Sequence, residues 1–500
     1  MSNTFMNGLQ MASNYTRTEN GALTHKTTTS ALLDLFAMGA AYRTRSEEDC
    51  ILLFRNAFAE NPTYALKCLF YIADIRGGQG ERRFFRVCIK DLAKTHPDVV
   101  RRNLELIPIY RRWDDLYALM DTPLENAVFL FMKKQLALDV QSKTPSLLGK
   151  WLKSENASSK ETKALAIRTR KAFGMTAKQY RKTLSYLRER INVLERLMSA
   201  GKWDEIEFDK IPSRAGLIYK NAFARHDIER AKSEKNVQTY ADFAKDTTKS
   251  VNAKALYPYE VVDKGLRASN LALDDTDRLM VNKYWDNLED YFKGKNFNGL
   301  AVVDTSASMT WSGGADKPLN VAISLGMYCA ERASGPFAGH YVSFSSRPQL
   351  IKVEGVDFCD KVKRIYKTNL CENTNIEATF DMLLRVAIAN GCTQEELPQS
   401  LIVISDMEFD VGSEGTKTRG IQTLMESIRS KWADYGYTLP HLIYWNVQAR
   451  QNNIPDDIGC GLVSFVSGMS PSIFDTILSG KTGLDLMYEK LDSERYAPIK

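Results

Sequence analysis

Two periodicities divide the chain. From about residue 30 to 290 the apolar positions return at helical spacing, as Leu66, Leu69, Phe70 and Ala73 do within Thr63 to Ile75. Turn signals interrupt the pattern at Asn61-Pro62, at Gly77-Gly78-Gln79-Gly80 and at His96-Pro97, where Pro97 suits the first turn of the next helix. The predicted helices are Ala31 to Tyr42, Glu47 to Ala59, Thr63 to Ile75, Glu81 to Lys94, Asp98 to Ile107, Asp114 to Met120, Leu124 to Asp139, Ser159 to Phe173, Thr176 to Met198, Ser213 to Phe223, Ile228 to Ala244 and Asp275 to Phe292. Short helices joined by short turns predict a stacked array of the HEAT kind. An all-α bundle without true repeats is the alternative, because the period is irregular.

The pattern changes near residue 296, after the charged linker Lys293-Gly294-Lys295. Strands are predicted at Gly299 to Val303, Gly339 to Phe344, Gln349 to Val353, Leu401 to Ser405, His441 to Val447 and Leu462 to Ser467. Helices alternate with them at Leu319 to Arg332, Asp357 to Tyr366, Ile376 to Asn390, Thr418 to Tyr435 and Pro471 to Leu478. Such alternation predicts a doubly wound α/β domain with a mainly parallel sheet. The expected organisation is a flexible N-terminus over 1–30, a helical domain over 31–292 and an α/β domain over 296–500.

Composition adds limits. A chain of 500 residues, 44% hydrophobic and 26% charged, is that of a multi-domain soluble globular protein. No apolar run reaches the roughly 18 residues of a membrane span. The polar first 30 residues do not read as a secretory signal, so a cytoplasmic location without membrane partners is expected. The eight cysteines form no CxxC pair and are expected as reduced, mostly buried thiols.

The net charge is only +6, but from Lys143 to Arg196 there are 14 Lys or Arg against 4 Asp or Glu. A block of that kind attracts polyanions, although a solvated helix surface carries the same signature. The residues that would meet such a polyanion are Lys160, Lys163, Arg168, Arg170, Lys171, Lys178, Arg181, Lys182, Arg188 and Arg190, with Tyr180 and Tyr186 interleaved. At helical spacing those tyrosines are core residues more often than stacking platforms. Arg82, Arg83 and Arg86 form a second basic cluster. The glycines before them lack the GxxxxGK[ST] pattern, which leaves a tight turn rather than a nucleotide loop. Arg112-Trp113-Asp114-Asp115 is expected to cap and pack a helix.

The strand at Leu300 to Val303 runs into Asp304-Thr305-Ser306-Ala307-Ser308, a DxSxS motif at the carboxyl end of a strand, where ligands of doubly wound sheets bind. A second strand ends in Asp406, and Thr374 precedes a helix at the same edge. Two carboxylates and three hydroxyls are hard oxygen donors suited to Mg²⁺ or another divalent cation. DxSxS alone is also a common helix cap. The three elements in this order carry the metal reading.

Asp304, Ser306, Ser308, Thr374 and Asp406 together resemble the metal-ion-dependent adhesion site of the von Willebrand factor A domain. That resemblance implies direct hydroxyl ligation, aspartates acting often through water, and a partner's acidic group completing the shell. Residues 71–82 (Tyr-Ile-Ala-Asp-Ile-Arg-Gly-Gly-Gln-Gly-Glu-Arg), Arg112 to Leu116, Tyr219 to Phe223 and Leu256-Tyr257-Pro258 resemble the Ro-like proteins of the DUF2828 type. A helical array followed by an A domain is also the layout of the Ro ribonucleoprotein (TROVE) family. The Ro resemblance implies a ring of helical repeats sealed by the A domain. It also implies binding of small noncoding or misfolded RNA, and exoribonuclease partners.

Catalysis is not expected. His25, His96, His226, His340 and His441 occupy no HExxH, no GxSxG occurs, and Ser306 has no local base. The favoured function is RNA binding through the basic helical domain. The alternative is a metal-dependent protein-binding adaptor or chaperone working beside AAA+ ATPases.

Overall fold

The computed structural model describes residues 13–233, 235, 237–310, 316–344, 347–368, 373–411, 423–456 and 462–500. A helical region precedes an α/β domain. Two short N-terminal strands, β1 (Tyr15–Arg17) and β2 (Leu23–His25), pair antiparallel. The large sheet comprises β3 (Gly299–Asp304), β4 (His340–Phe344), β5 (Gln349–Lys352), β6 (Ser400–Ser405), β7 (His441–Asn446) and β8 (Val463–Ser467). Its order is β5-β4-β3-β6-β7-β8, with only β5 antiparallel to its neighbour. Every residue of β3, β7 and β8 is buried, which is why these strands read as continuous apolar runs. The chain moves outward in one direction from β3 to β5, then returns to the other side of β3 with β6. The crevice between the carboxyl ends of β3 and β6 is therefore the switch point of the sheet.

Most predicted helices form, and their boundaries have local causes. Ser46 and Ser159 accept amide protons at the starts of Glu47–Glu60 and Lys160–Phe173. Asn61 and Pro62 start Pro62–Ala73. Several expectations need correction. Thr176 to Met198 is two helices, Ala177–Arg190 and Leu194–Ser199, because Asn192 takes a left-handed conformation (φ 48°) that ends the first. Ile228 to Ala244 is also broken, into Asp227–Ala231 and Tyr240–Lys245, and Asp227 accepts the Ala241 amide at 2.9 Å. The helix from Ala31 tightens to a 3₁₀ turn after Met38, and Asp114 to Met120 is a 3₁₀ segment, Trp113–Leu119. Residues 418–422 of the predicted Thr418 helix lie outside the described residues, and the described part is Leu424–Asp434.

Among the described residues two helices longer than two turns were not anticipated, Pro258–Ala268 and Gly483–Leu491, nor was the single turn Leu148–Trp151. The first packs on Pro318–Arg332 and Phe358–Thr368, so close that a Cβ on Gly265 would stand 2.8 Å from the Phe358 ring. At the other end of the helical region, Ala31–Met38 lies against β8. The helical region thus meets the α/β domain at both its ends.

The glycine run forms a joint between the two halves. A Cβ on Gly78 would fall 1.9 Å from the Tyr71 carbonyl, and Gly80 is left-handed at φ 72°. Ser472 Oγ donates to the Gly78 carbonyl (2.6 Å) and Tyr496 Oη to that of Gly77 (3.1 Å). Fully buried Asp74 accepts Arg495 Nη2 at 2.8 Å and Tyr496 Oη at 3.1 Å. The tight-turn reading is correct, with a packing role added.

The N-terminus departs from expectation. Residues 1–12 lie outside the described residues, but β1 and β2 form a hairpin bridged to the C-terminal domain at Gly21–Asp410 and His25–Ile454. Main-chain hydrogen bonds to residues so distant leave no trace in composition. Among the described residues the cysteines are unpaired, and no helix is long and apolar enough to cross a membrane.

His441, at the start of β7, is buried against Ser464 Oγ at 2.9 Å, and burial pushes its ring down to about 4. The unfolded chain then binds a proton that the folded one refuses. The associated stability is whole above the unfolded value near 6.5 and is lost as pH falls from there through 4, about 3 kcal/mol in full. His441→Gln is expected to flatten that part of the denaturation free energy measured from pH 7 to 4. An unchanged slope would count against the assignment.

Candidate functional site

Parallel pairing of β3 with β6 sets Val303 beside Ile404, so Asp304 and Ser405 leave the sheet together. Ser405 Oγ donates to Asp304 Oδ2 (2.5 Å) and accepts the Met407 amide (2.9 Å). Met407 is held left-handed at φ 65°, a costly conformation for a side-chain-bearing residue. This turn directs Asp406 and Glu408 inward. The Ser306 amide donates to Asp304 Oδ1 (2.9 Å), and the Ser306 and Ser308 hydroxyls lie 2.9 Å apart. Ser308 in turn hydrogen-bonds Asp406. Four of the five predicted residues therefore form one connected group.

Thr374 joins the group through other residues. Asn20 Nδ2 reaches both Thr374 Oγ1 (3.4 Å) and the Glu408 carbonyl (2.7 Å), and the Asp410 amide donates to the Thr374 carbonyl (3.0 Å). Asp304, Ser306, Thr374 and Asp406 are each no more than 2% exposed. Burial, reinforced by the charge of Asp406, pushes the Asp304 carboxyl up to about 7. Burial also raises Asp406, against the pull of Arg450. Two buried acids with hydroxyl oxygens around them call for positive charge, and a hard divalent cation suits that donor set. Among the described residues no three His, Cys, Asp or Glu side chains gather as a metal-binding group. The candidate donors are two carboxylates supplemented by hydroxyls.

Sequence reasoning missed several neighbours. Arg450 Nη2 donates to Asp406 Oδ2 at 2.9 Å, and its Nη1 lies 2.8 Å from Glu19 Oε2. Glu408 is fully buried; its Oε2 takes the Glu19 amide (2.7 Å) and Asn453 Nδ2 (2.8 Å), while Oε1 has no hydrogen-bond partner. Burial pushes its carboxyl up to about 7. Only the proximity of Glu408 to Asp406 was visible in the sequence.

The basic block separates into two kinds of residue. Arg168 pairs with Glu125 and Asp121, Arg170 with Glu155 (2.7 Å), and Arg188 donates to the Gly149 and Leu152 carbonyls, both at 3.0 Å. These three are engaged by groups of the protein itself. Lys160, Lys163, Lys171, Lys178, Arg181 and Lys182 are exposed. Tyr180 is core, its hydroxyl on the Lys153 carbonyl (2.8 Å). Tyr186 is exposed, with Arg190 over its ring at 5.4 Å. Beside them opens a cleft of about 520 Å³, lined by Lys150, Trp151, Arg181, Glu195 and Arg196 among others. The Arg112 guanidinium lies 4.0 Å over the Trp151 ring. Arg82 and Arg86 are bound to Asp114 and Asp115, which they share with Arg111 and Arg112, so that second cluster is tied into the fold with its positive charge only partly offset.

Comparison with known proteins gives three results. Residues 18–144 and 135–295 match a domain of unknown function, DUF2828, and residues 298–496 match another, DUF7788. An uncharacterized protein of Acanthamoeba polyphaga mimivirus is 31% identical over 480 residues, which span 88% of this chain and 80% of that protein. The crystal structure of the Ro (RSR) protein of Deinococcus radiodurans is similar at a TM-score of 0.40 and 13% identity, over 90% of this chain and 93% of that one.

Proposed function

The chain belongs to the DUF2828 family, and from that premise we propose that it binds RNA through the helical region and a divalent cation through its C-terminal domain. The observation that carries the RNA reading is the set of exposed cations at Lys160, Lys163, Lys171, Lys178, Arg181 and Lys182. They stand on two consecutive helices beside a cleft containing Trp151. Cations on a scaffold bind phosphates with little sequence preference, and an aromatic ring in a basic cleft offers a platform for an unstacked base.

Neutralising Lys171, Arg181 and Lys182 together is expected to weaken single-stranded RNA binding alike across unrelated sequences. The slope of log affinity against log salt should fall by about 2, for three phosphate contacts at about 0.7 each. Fluorescence anisotropy over a KCl series reads both. Parental affinity and slope in the triple variant would reduce the block to a solvated surface.

In the C-terminal domain, Asp304, Ser306, Ser308, Thr374 and Asp406 would hold Mg²⁺. The ion would supply charge between the two acids and a position for a further acidic group. The centre is assigned to binding: the Ser306 side chain hydrogen-bonds both Ser308 Oγ and the Asp304 carboxyl, as neighbouring oxygen donors of one cation would.

A further inference from the structure

We propose that the acidic group completing the divalent centre comes from the same chain: Glu19, at the tip of the N-terminal hairpin. This rests on the metal reading above and assigns the ligand that such a site would otherwise take from a partner.

The hairpin tip lies on the centre and is anchored there atom by atom. Thr18 Oγ1 donates to the Phe409 carbonyl at 2.6 Å. The Glu19 amide donates to Glu408 Oε2, and Asn20 Nδ2 to the Glu408 carbonyl, both at 2.7 Å. Asn20 also reaches the hydroxyl of Thr374, a candidate ligand. Next along the chain, Gly21 bridges to Asp410 in a left-handed conformation (φ 91°), with only 3.1 Å between a built Cβ and Val411 Cγ2. A larger residue there would push the tip away.

This anchoring holds the Glu19 backbone at the centre, while its carboxylate rests on Arg450 rather than among the site donors and would turn from Arg450 to the ion when the ion binds. That carboxylate shares the Arg450 guanidinium with Asp406, at 2.8 Å and 2.9 Å, so one cationic group already bridges the hairpin acid and the site acid. A divalent ion at Asp406 offers the same bridge with twice the charge and with defined oxygen positions. A second observation also points to a cation. Glu408, buried directly beneath the tip, keeps Oε1 without a hydrogen-bond partner. An unpaired carboxylate oxygen out of contact with water is costly, and positive charge nearby relieves it. The ion would then work as a clasp between the N-terminal hairpin and the C-terminal domain, and an external acidic ligand would have to displace Glu19.

The test uses the full chain with Mn²⁺ and Mg²⁺ as probes. Mn²⁺ binding is followed by electron paramagnetic resonance, and hydrogen exchange of residues 13–29 is measured in Mg²⁺ and in EDTA. In the parent, Mg²⁺ should slow exchange across the hairpin. Glu19→Gln, which can still hydrogen-bond Arg450, should weaken Mn²⁺ binding by roughly ten- to a hundredfold and remove the Mg²⁺-dependent protection. Asn20→Ala should reduce protection while leaving more of the ion affinity. Tight Mn²⁺ binding with hairpin exchange indifferent to Mg²⁺, or undiminished affinity in Glu19→Gln, would overturn the clasp and leave the metal site standing. Failure of the parent to bind Mn²⁺ would overturn both.

Discussion

The Asp304→Asn protein is expected to melt at the same temperature with and without Mg²⁺, whereas the parent melts several degrees higher in its presence. An ion that binds only the folded chain stabilises it by about 2.7 kcal/mol at a hundredfold excess over Kd. For a domain of about 200 residues each kcal/mol moves Tm by roughly 2–4 °C. Asparagine keeps Oδ1 for the Ser306 amide, and its Nδ2 can donate to Ser405 Oγ once that hydroxyl turns, so the crevice between β3 and β6 should survive the change. What disappears is one of the two charges that face the ion. Differential scanning fluorimetry across an Mg²⁺ titration distinguishes the two proteins. A parent curve that ignores both Mg²⁺ and Mn²⁺ would end the metal reading.

Arg495→Ala should cost about 3 kcal/mol of stability. Asp74 is fully buried and would lose its guanidinium, keeping only Tyr496 Oη at 3.1 Å and the Arg76 amide at 3.0 Å. Removing one member of a buried ion pair strands the other, at about 3–5 kcal/mol. Partial exposure of Arg495 places this case at the lower end. The pair ties the helical region to the segment after β8, so calorimetry should show the single transition broadening or dividing. The double variant Asp74→Leu with Arg495→Met should recover much of the loss, because apolar groups of similar volume need no counter-charge. An Arg495→Ala protein that unfolds like the parent would show the joint to be held by the glycine loop alone.

The parts of this architecture visible in the sequence are those with a local signature. Buried parallel strands are apolar on both faces, so Leu300 to Val303 and Leu401 to Ile404 mark themselves, and the acids ending them mark the switch point. Ser46, Asn61 and Ser159 announce helix starts by composition. Features made of distant pairs were not legible. Arg168, Arg170 and Arg188 look like the exposed lysines around them until Glu125, Glu155 and the Gly149 carbonyl are brought near. Glu19, Asn20 and Arg450 carry no motif and join the centre only through tertiary contact. The break at Asn192 depends on one left-handed residue, which a helical apolar pattern does not register.

The joint built from Asp74 and Arg495 connects positions 421 apart in the chain, and Asn103 meets Lys500 across 397. During synthesis the helices around them leave the ribosome long before their counterparts exist. Contacts this remote close late, since their loop entropy must be met before they contribute. A polypeptide interrupted before Arg495 would leave the buried Asp74 carboxylate with the Arg76 amide and without Arg495 and Tyr496, and an unfinished surface along the first helices. Surfaces of that kind invite chaperones and proteases. The first helices therefore acquire their full set of partners only when the segment around Arg495 has been added.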